Sequence, residues 1–216
     1  MTDPSIDCSD SSDESGEADR GSTSAPLRPV VEEIGRPPST DGSLGQRGRT
    51  PTKVTTALRA QIMDCWVAVT NAGGAVGFVP PITVEDVEPE VDRTLAAVHT
   101  GDRTLIVLRL GTDLVGFGFL ARNDFVPFQH WVTLRALQIH PRWQRRSLGR
   151  TLLDGIVGIA RAHGFEMLRL DYRSGLGLGE FYRRAGFVEV GRIPRGVRPV
   201  PGDDRDIVYM MRRLDS

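Results

Sequence analysis

The sequence predicts a mixed α/β domain, in which helices cover both faces of a sheet of parallel and antiparallel strands. Two observations support this prediction. Apolar residues recur at helical spacing in some segments, whereas in others they form short runs bounded by turn residues, which is typical of strands. These segments follow one another as two helices, three strands, a helix, a strand, a helix and two strands, so that a meander leads into a βαβ unit.

The first quarter of the chain differs in composition from the rest. Residues 1–52 are rich in Ser, Thr, Pro, Gly, Asp and Glu. Such a segment buries too little apolar surface to offset the entropy of an ordered chain, so we expect a disordered tail. Residues 1–50 hold ten acidic and five basic residues, a net charge of −5, whereas the remainder holds 18 acidic and 22 basic ones, a net charge of +4. We therefore expect a basic folded domain over residues 53–216.

Two helices are expected at the start of this domain. Apolar residues recur every three or four positions from Leu58 to Val69, and the pattern stops before Gly73. Thr83 then precedes several acidic residues, which suit the first turn of a helix because carboxylates there complement the helix dipole. This second helix is expected to extend to about Val98.

Strands dominate the rest of the domain. The apolar segments Thr104–Leu110 and Asp113–Ala121 are separated only by Gly111 and Thr112, which predicts a hairpin. The remaining predicted elements are, in order, a strand at Trp131–His140, a helix at Ser147–His163, a strand at Met167–Tyr172, a helix at Leu178–Ala185, and strands at Phe187–Ile193 and Asp206–Arg212. No run of about 20 apolar residues interrupts this order, so we expect no membrane span.

The most distinctive segment joins the third strand to the next helix. The strand stops at Pro141, which cannot donate to a ladder, and the helix opens at Leu148. Backbone N–H groups in the first turn of a helix have no partner within it, and the helix dipole makes their surroundings positive. Arg145, Arg146 and Arg150 add full charges. This arrangement is suited to holding a diphosphate.

The same segment resembles a known family motif. Leu137-x-Ile139-x-Pro141 followed by Gln144-x-x-Ser147-x-Gly149 is similar to motif A of the GNAT N-acetyltransferases, whose Gln/Arg-x-x-Gly-x-Gly/Ala pattern grips the pyrophosphate of acetyl-CoA. Ser147 departs from the pattern, which has glycine at this position. Only glycine lets the backbone approach the phosphates without a Cβ. The resemblance implies acetyl-CoA as co-substrate, bound by Leu137, Gln138, Ile139, Gln144, Arg145, Arg146, Ser147, Leu148, Gly149 and Arg150.

The resemblance extends over roughly residues 56–214 and implies the GNAT fold of an acyl-CoA N-acyltransferase, although the first strand of that fold is not evident in the sequence. Within the family, the tabtoxin-resistance type is the most similar. That similarity rests on Gly73–Phe78, on Leu168-x-Leu170-Asp171 and on the segment from Val188 to Pro194.

A second family signature, Tyr-x-x-x-Gly-Phe, resembles the segment from Tyr182 to Phe187. Acetyl transfer expels a thiolate, and a phenol held near the sulfur can donate a proton to it, an effect of ~10²–10⁴-fold. We therefore expect Tyr182 to be the general acid, the alternative being a core aromatic residue on an amphipathic helix. Neighbours on a helix point about 100° apart, so Phe181 is expected to fill the core while Tyr182 faces the cleft.

The base that deprotonates the acceptor is harder to assign. Many members of the family carry Glu four residues before the position of Leu137, but this sequence has Thr133 there, which cannot act as a base. Asp171 ends the strand expected to flank the thioester and is the favoured replacement. The alternative is an ordinary strand-end Asp satisfied by backbone N–H groups. Glu180 and His130 are weaker candidates.

These residues together predict an N-acetyltransferase that moves an acetyl group from acetyl-CoA to a primary amine of a small molecule or peptide, by direct attack in a ternary complex. The alternative is a catalytically weak acyl-CoA-binding sensor with the same fold, which Thr133 favours. The sequence leaves a homodimer open.

Other classes of protein fit the sequence less well. The glycines from Gly175 to Gly179 lack the Rossmann spacing, and the arginines are interleaved with acidic residues, so we expect no nucleic-acid partner. Cys8 and Cys65 have neither disulfide nor zinc spacing, so we expect free thiols, no metal site and a cytoplasmic location.

Overall fold

A seven-stranded sheet organises the part of the chain that the computed structural model describes, residues 27–35 and 54–214. The strands are β1 (Pro29–Ile34), β2 (Arg103–Leu110), β3 (Asp113–Ala121), β4 (Trp131–Ile139), β5 (Met167–Arg173), β6 (Val188–Val197) and β7 (Arg205–Arg213). The helices are α1 (Thr56–Asn71), α2 (Val84–Thr100), α3 (Leu148–Ala162) and α4 (Leu178–Arg184), with short 3₁₀ turns at Val126–Phe128 and Pro141–Trp143. Every strand and α-helix except β1 matches a predicted element.

The sheet is mixed, as predicted. Its order is β1-β2-β3-β4-β5-β7-β6, and among these neighbours the β4–β5 pair alone is parallel. The predicted hairpin joins β2 to β3, with Leu110 opposite Asp113. Helix α3 makes the long crossover that two parallel neighbours require. The mixed α/β fold is therefore confirmed.

Strand β1 corrects the prediction for the N-terminal segment. Residues 29–34 lie inside the stretch expected to be disordered, yet they pair with β2 along their full length, and Ile34 is buried. Val31 packs on α3 at Gly155, where a Cβ would come within 2.7 Å of a Val31 methyl carbon. Composition averaged over 52 mostly polar residues hid this short apolar stretch. Residues 1–26 and 36–52 of the predicted tail lie outside the described residues.

Two apolar clusters fill the two sides of the sheet. Strand β2 contributes to both, because successive side chains of a strand point to opposite faces. Ile106 and Leu108 join the cluster under α3, whereas Leu105 and Val107 join the cluster under α1 and α2. All four are fully buried. Burial on both faces explains why this strand reads as a continuous apolar run in the sequence.

Strands β4 and β5 separate after a short parallel ladder. Three residue pairs join them, from Trp131 with Met167 to Thr133 with Arg169. Further along β4, Ala136 adopts φ 51°, and the register with β3 shifts there, which marks a bulge. Within the described part of the chain, the β5-facing edge of residues 134–139 therefore has no strand beside it. Ligands of α/β proteins commonly bind at such a split, beyond the carboxyl ends of parallel strands.

Among the described residues, no helix is both long enough and apolar enough to cross a lipid bilayer.

Candidate active site

A cavity of about 530 Å³ opens between the turn after β4 and helix α4. It is lined by Ile139, Gln144, Arg145, Ser147, Leu148, Gly149, Arg150, Gly177, Glu180, Phe181 and Arg184. Seven of the ten residues predicted to bind acetyl-CoA are among them, the exceptions being Leu137, Gln138 and Arg146. We call this space the first cavity. Its position, where β4 parts from β5, matches the position predicted for a diphosphate.

The floor of the first cavity is the N-terminus of α3. Ser147 is the N-cap residue, and its φ of 59° is left-handed, a conformation that glycine adopts more readily. Its carbonyl oxygen accepts from the N–H groups of Arg150 and Thr151, at 3.0 and 3.2 Å. The N–H groups of Ser147, Leu148 and Gly149 have no acceptor among the described residues. These donors and the helix dipole favour an anion in the cavity.

The arginines of this turn are not equivalent. Arg145 lines the first cavity, is exposed, and lies within ion-pair distance of no carboxylate in the described part of the chain. Arg150 also lines it, but its guanidinium is held by the carboxylate of Asp154 at 2.8 Å. The guanidinium carbon of Arg146 lies 5.2 Å from the ring centroid of Trp143, and Arg146 does not line the cavity. Arg145 is therefore the cation most available to a diphosphate, and the prediction of a contact from Arg146 is not supported.

The two other predicted contacts outside this cavity lie on the split edge of β4. Leu137 packs against the cluster under α3. Gln138 is buried, and neither its Oε1 nor its Nε2 has a partner among the described residues. At the end of the strand, Gln144 donates from Nε2 to the Ile139 carbonyl at 2.9 Å, so that this carbonyl already has one donor. A strand-like contact to pantetheine would therefore rely mainly on the backbone before Ile139.

Tyr182 is buried, contrary to the orientation expected for it. Its side chain is 6% exposed, and its ring centroid lies 5.1 Å from that of Phe181 and 5.8 Å from those of Tyr172 and Phe187. Phe181, expected in the core, lines the first cavity instead. The difference arises because α4 has only seven residues and packs against the sheet through Tyr182, beside Phe187 at the start of the next segment.

The electrostatic surroundings of Tyr182 favour its neutral form. Burial, and to a lesser degree the nearby Asp171 carboxylate and Tyr172 hydroxyl, hold the pKa of the Tyr182 phenol well above its ordinary value. Some side-chain polar atoms of the described residues are buried without a hydrogen-bond partner. The hydroxyl oxygen of Tyr182 is not one of them. The phenol of Tyr182 therefore stays protonated at neutral pH.

A second cavity, of about 270 Å³, lies at the carboxyl end of β5. It is lined by Ala75, Gly77, Phe78, Val79, Asp171, Tyr172, Arg173, Val197, Arg198, Pro199 and Ile207. Asp171 is therefore in a cavity, as a general base would be. Its carboxylate, 31% exposed, lies 3.6 Å from Nη1 of Arg135.

Tyr182 lines neither cavity, but it packs against a wall residue of each. One of its ring neighbours, Phe181, lines the first cavity, and another, Tyr172, lines the second. The candidate acid is thus in ring contact with the wall of the cavity suited to a diphosphate and with the wall of the cavity that holds the candidate base. This arrangement suits transfer of a group from a ligand in the first cavity to one in the second.

The weaker candidates for the base lie elsewhere. His130 precedes β4, at the end of the β4–β5 ladder opposite Ile139. Glu180 lines the first cavity, where its carboxylate is 2.9 Å from the guanidinium of Arg184. Thr133, at the position where the family carries Glu, is buried within the ladder. Of these residues and Asp171, only Asp171 lines the second cavity.

Several lining residues of the second cavity were not predicted. Phe78, Arg173 and Arg198 come from three segments that are distant in sequence, and the fold brings them together. For Arg173 a signal existed, because it follows Asp171 by two residues on a strand, which places both side chains on one face. The described residues hold no group of three or more His, Cys, Asp or Glu side chains placed to bind a metal ion.

Comparison with solved structures shows a common fold. A protein from Desulfovibrio desulfuricans assigned to the GNAT acetyltransferase family matches with a TM-score of 0.63 at 15% identity, over 87% of this chain and 99% of that one. A Salmonella typhimurium protein assigned as an acetyltransferase and solved with its cofactor acetyl-CoA matches with a TM-score of 0.61 at 17% identity, over 76% and 93%.

A third similar structure is the ribosomal-protein-alanine N-acetyltransferase of Brucella melitensis, with a TM-score of 0.60 at 16% identity, over 75% of this chain and 98% of that one. The sequence model of the acetyltransferase (GNAT) family matches residues 59–187, more than half of the chain. This segment includes the turn before α3, Asp171 and Tyr182. The chain therefore belongs to the GNAT acetyltransferase family.

Proposed function

We propose that this protein transfers the acetyl group of acetyl-CoA to a primary amine, by direct attack of the amine in a ternary complex. The observation that carries the proposal is the pair of cavities, one after β4 and one at the carboxyl end of β5, each with a wall residue that packs on Tyr182. Acetyl-CoA is the co-substrate of the family, and the first cavity offers unpaired N–H groups and Arg145 for its diphosphate. The similar Salmonella typhimurium structure, which contains acetyl-CoA, supports this assignment.

The reaction needs one base and one acid. Acetyl-CoA supplies an acetyl thioester, and the amine nitrogen forms a bond to its carbonyl carbon while the C–S bond breaks. An amine that enters as ammonium loses two protons. Asp171, in the second cavity, accepts the first, which frees the nitrogen lone pair. Tyr182 donates its phenolic proton to the departing sulfur and regains a proton from the acetylated nitrogen, so that CoA leaves as the thiol.

The positions of the two residues suit these roles. Burial keeps Tyr182 protonated, which an acid requires. Asp171 is partly exposed and lies beside Arg135, so a solvent proton can reach or leave it. Asp171 is on β5, which borders the split, and the edge of β4 there is open to the arm of the co-substrate.

Amine-dependent release of CoA thiol from acetyl-CoA tests the proposal directly. A panel of primary amines is offered to the full chain, and Asp171→Asn serves as the variant. We expect at least one amine to stimulate release, and the variant to lose most activity at neutral pH but to recover it at high pH, where free amine forms without a base. Equal rates for the variant and the wild type at pH 7 would show that another group is the base.

A specific observation favours a second candidate function, a sensor that binds acetyl-CoA without turnover. Thr133 is buried at the position where many relatives carry their glutamate, so the usual base is missing. The same panel distinguishes the two functions. Calorimetric binding of acetyl-CoA with no stimulation by any amine would support the sensor.

A further inference from the structure

The charges of the second cavity are arranged in a way that selects its ligand. Asp171 and Arg173 both line it, and they lie two residues apart on β5, opposite Tyr209 and Ile207 of β7. Alternate residues of a strand share a face, and their Cα atoms are roughly 6.6 Å apart. A carboxylate residue and a guanidinium residue of the same strand thus line one small space, with Tyr172 between them.

Arg173 differs from the other arginines near this cavity, because it has no acidic partner among the described residues. Its one hydrogen bond to a described residue is a long one, from Nη2 to the Gly73 carbonyl at 3.4 Å. Arg198, which also lines the cavity, is held by the carboxylate of Asp204, and Arg135 lies beside Asp171. Arg173 is partly buried, and a half-buried guanidinium is stabilised strongly by a carboxylate that accepts two of its N–H groups.

The remaining walls of the cavity are mostly apolar. Phe78, Val79, Pro199 and Ile207 contribute them, and the volume is about 270 Å³. A ligand that fills this space presents an ammonium to Asp171, an acidic group to Arg173 and an apolar side chain to the walls. The cavity is small for an acceptor on the surface of a folded protein. A peptide acceptor is also disfavoured, because the N-terminus of a peptide lacks a carboxylate next to its amine.

On these grounds we propose that the acceptor is a free α-amino acid with an apolar side chain, or a close analogue, whose carboxylate is bound by Arg173. This inference deepens the acetyltransferase function proposed above and rests on it. Arg173 is then a specificity-determining residue. Charge-assisted hydrogen bonds are worth about 1.5–3 kcal/mol, so the contact should favour the acid over a neutral analogue by roughly 10- to 150-fold in kcat/KM.

Matched acceptors test the inference on the full chain with acetyl-CoA. Leucine, methionine and phenylalanine are compared with their amides, which keep the α-amine but lack the carboxylate, through initial rates of CoA thiol release. Wild-type protein should prefer at least one acid over its amide by the factor given above. Arg173→Gln should abolish the preference through a higher KM for the acid, and Arg173→Lys should retain part of it.

Two controls keep the outcomes distinct. Arg195→Gln removes a nearby exposed arginine that does not line the cavity, and it should keep the preference. The affinity of each variant for CoA, measured by calorimetry, reports whether the variant is folded. Amides and acids acetylated equally well by the wild type would overturn the inference and leave the acetyltransferase function standing. If acetyl-CoA binds but no amine in the wider panel is acetylated, the proposed function itself fails, and the inference with it.

Discussion

Oε1 of Glu33 in β1 lies 2.8 Å from Nε2 of His163, which follows the last turn of α3. The His163 side chain is 7% exposed, and the two atoms are within ion-pair distance although neither has a hydrogen-bond partner among the described residues. Together with Val31 against Gly155, this close approach places β1 against the helix that begins at the first cavity. The short N-terminal strand is therefore part of the folded domain.

Two truncations should separate this strand from the residues before it. Removing residues 1–26 leaves β1 in place and should leave the melting temperature nearly unchanged. Removing residues 1–35 also exposes the buried surface around Ile34 and unpairs β2, at a cost of about 2–5 kcal/mol. For a chain of this size the second truncation should lower the melting temperature by roughly 4–20 °C in a calorimetric scan. Equal melting temperatures for the two truncated proteins would mean that β1 does not stabilise the domain.

Replacing Gly149 with a larger residue should fill part of the first cavity, which Gly149 lines. A Cβ there would lie 3.7–3.9 Å from Ile139 and Phe181, so the branches of a valine would extend into the first cavity. Gly149→Val should weaken CoA binding at least tenfold in a calorimetric titration, a loss of about 1.4 kcal/mol. Gly158→Val, at an exposed site of the same helix with open space, is the matched control for helix propensity. Similar affinities in the two variants would argue against a ligand at Gly149.

Charge reversal should distinguish two neighbouring arginines. Arg145 lines the first cavity without an acidic partner, whereas Arg146 stacks on Trp143 outside it. Arg145→Glu should therefore reduce the affinity for CoA by roughly 10- to 100-fold, as expected for a lost charge-assisted contact, with a weaker dependence on salt. Arg146→Glu should have a much smaller effect. The opposite ranking would place the diphosphate on the other side of the turn.

Tyr182→Phe should affect the chemical step more than binding. The change removes one hydroxyl and keeps the ring that packs on Phe181 and Tyr172. We expect kcat and kcat/KM to fall alike, by ~10²–10³-fold, with CoA affinity nearly retained. Because the pKa of the phenol is raised, the wild-type rate should not fall between pH 8 and 10 through its ionisation. A variant that turns over an established acceptor at the wild-type rate would exclude Tyr182 as the acid.

The buried thiol of Cys65 should make stability depend on pH above neutrality. Burial, with a contribution from the Asp64 carboxylate, raises the pKa of this thiol to about 12. An unfolded thiol loses its proton near pH ~8.5, so above that value the unfolded state binds fewer protons than the folded one. The free energy of unfolding should fall by up to about 1.4 kcal/mol per pH unit from this group, and Cys65→Ala should flatten the decline. Denaturant titrations at pH 8 and 10 measure the free energy of unfolding of both proteins. An equal decline with pH in the wild type and in Cys65→Ala would contradict the prediction.

Part of the molecule could be read from its sequence because local patterns determine it. The β2–β3 hairpin follows from two apolar runs around Gly111, and the turn that lines the first cavity follows from a proline, three arginines and a helix start. Strand β1 could not be predicted, since it pairs with β2 about 70 residues later in the chain. Its own sequence, PVVEEI, is too short and too acidic to form a clear apolar pattern.

The orientation of Tyr182 shows a different limit. Sequence spacing places Phe181 and Tyr182 on different sides of α4, but which side faces the sheet depends on how a seven-residue helix docks, and the expected sides were interchanged. The second cavity could not be predicted as a whole. It is built from three distant segments, and of its lining residues only Asp171 was predicted from the sequence, as the candidate base.

Strand β1 also bears on how the protein behaves at high concentration. The β2 strand is buried on both faces from Leu105 to Leu108, and β1 occupies the row of N–H and C=O groups along its outer edge. Without that cover, a long, flat and apolar edge would be offered to the strands of other molecules, which is the geometry that initiates aggregation. Light scattering by the chain that begins after residue 35 should rise with concentration where the full chain stays dispersed. The six-residue strand β1 thus keeps the edge of β2 from pairing with other molecules.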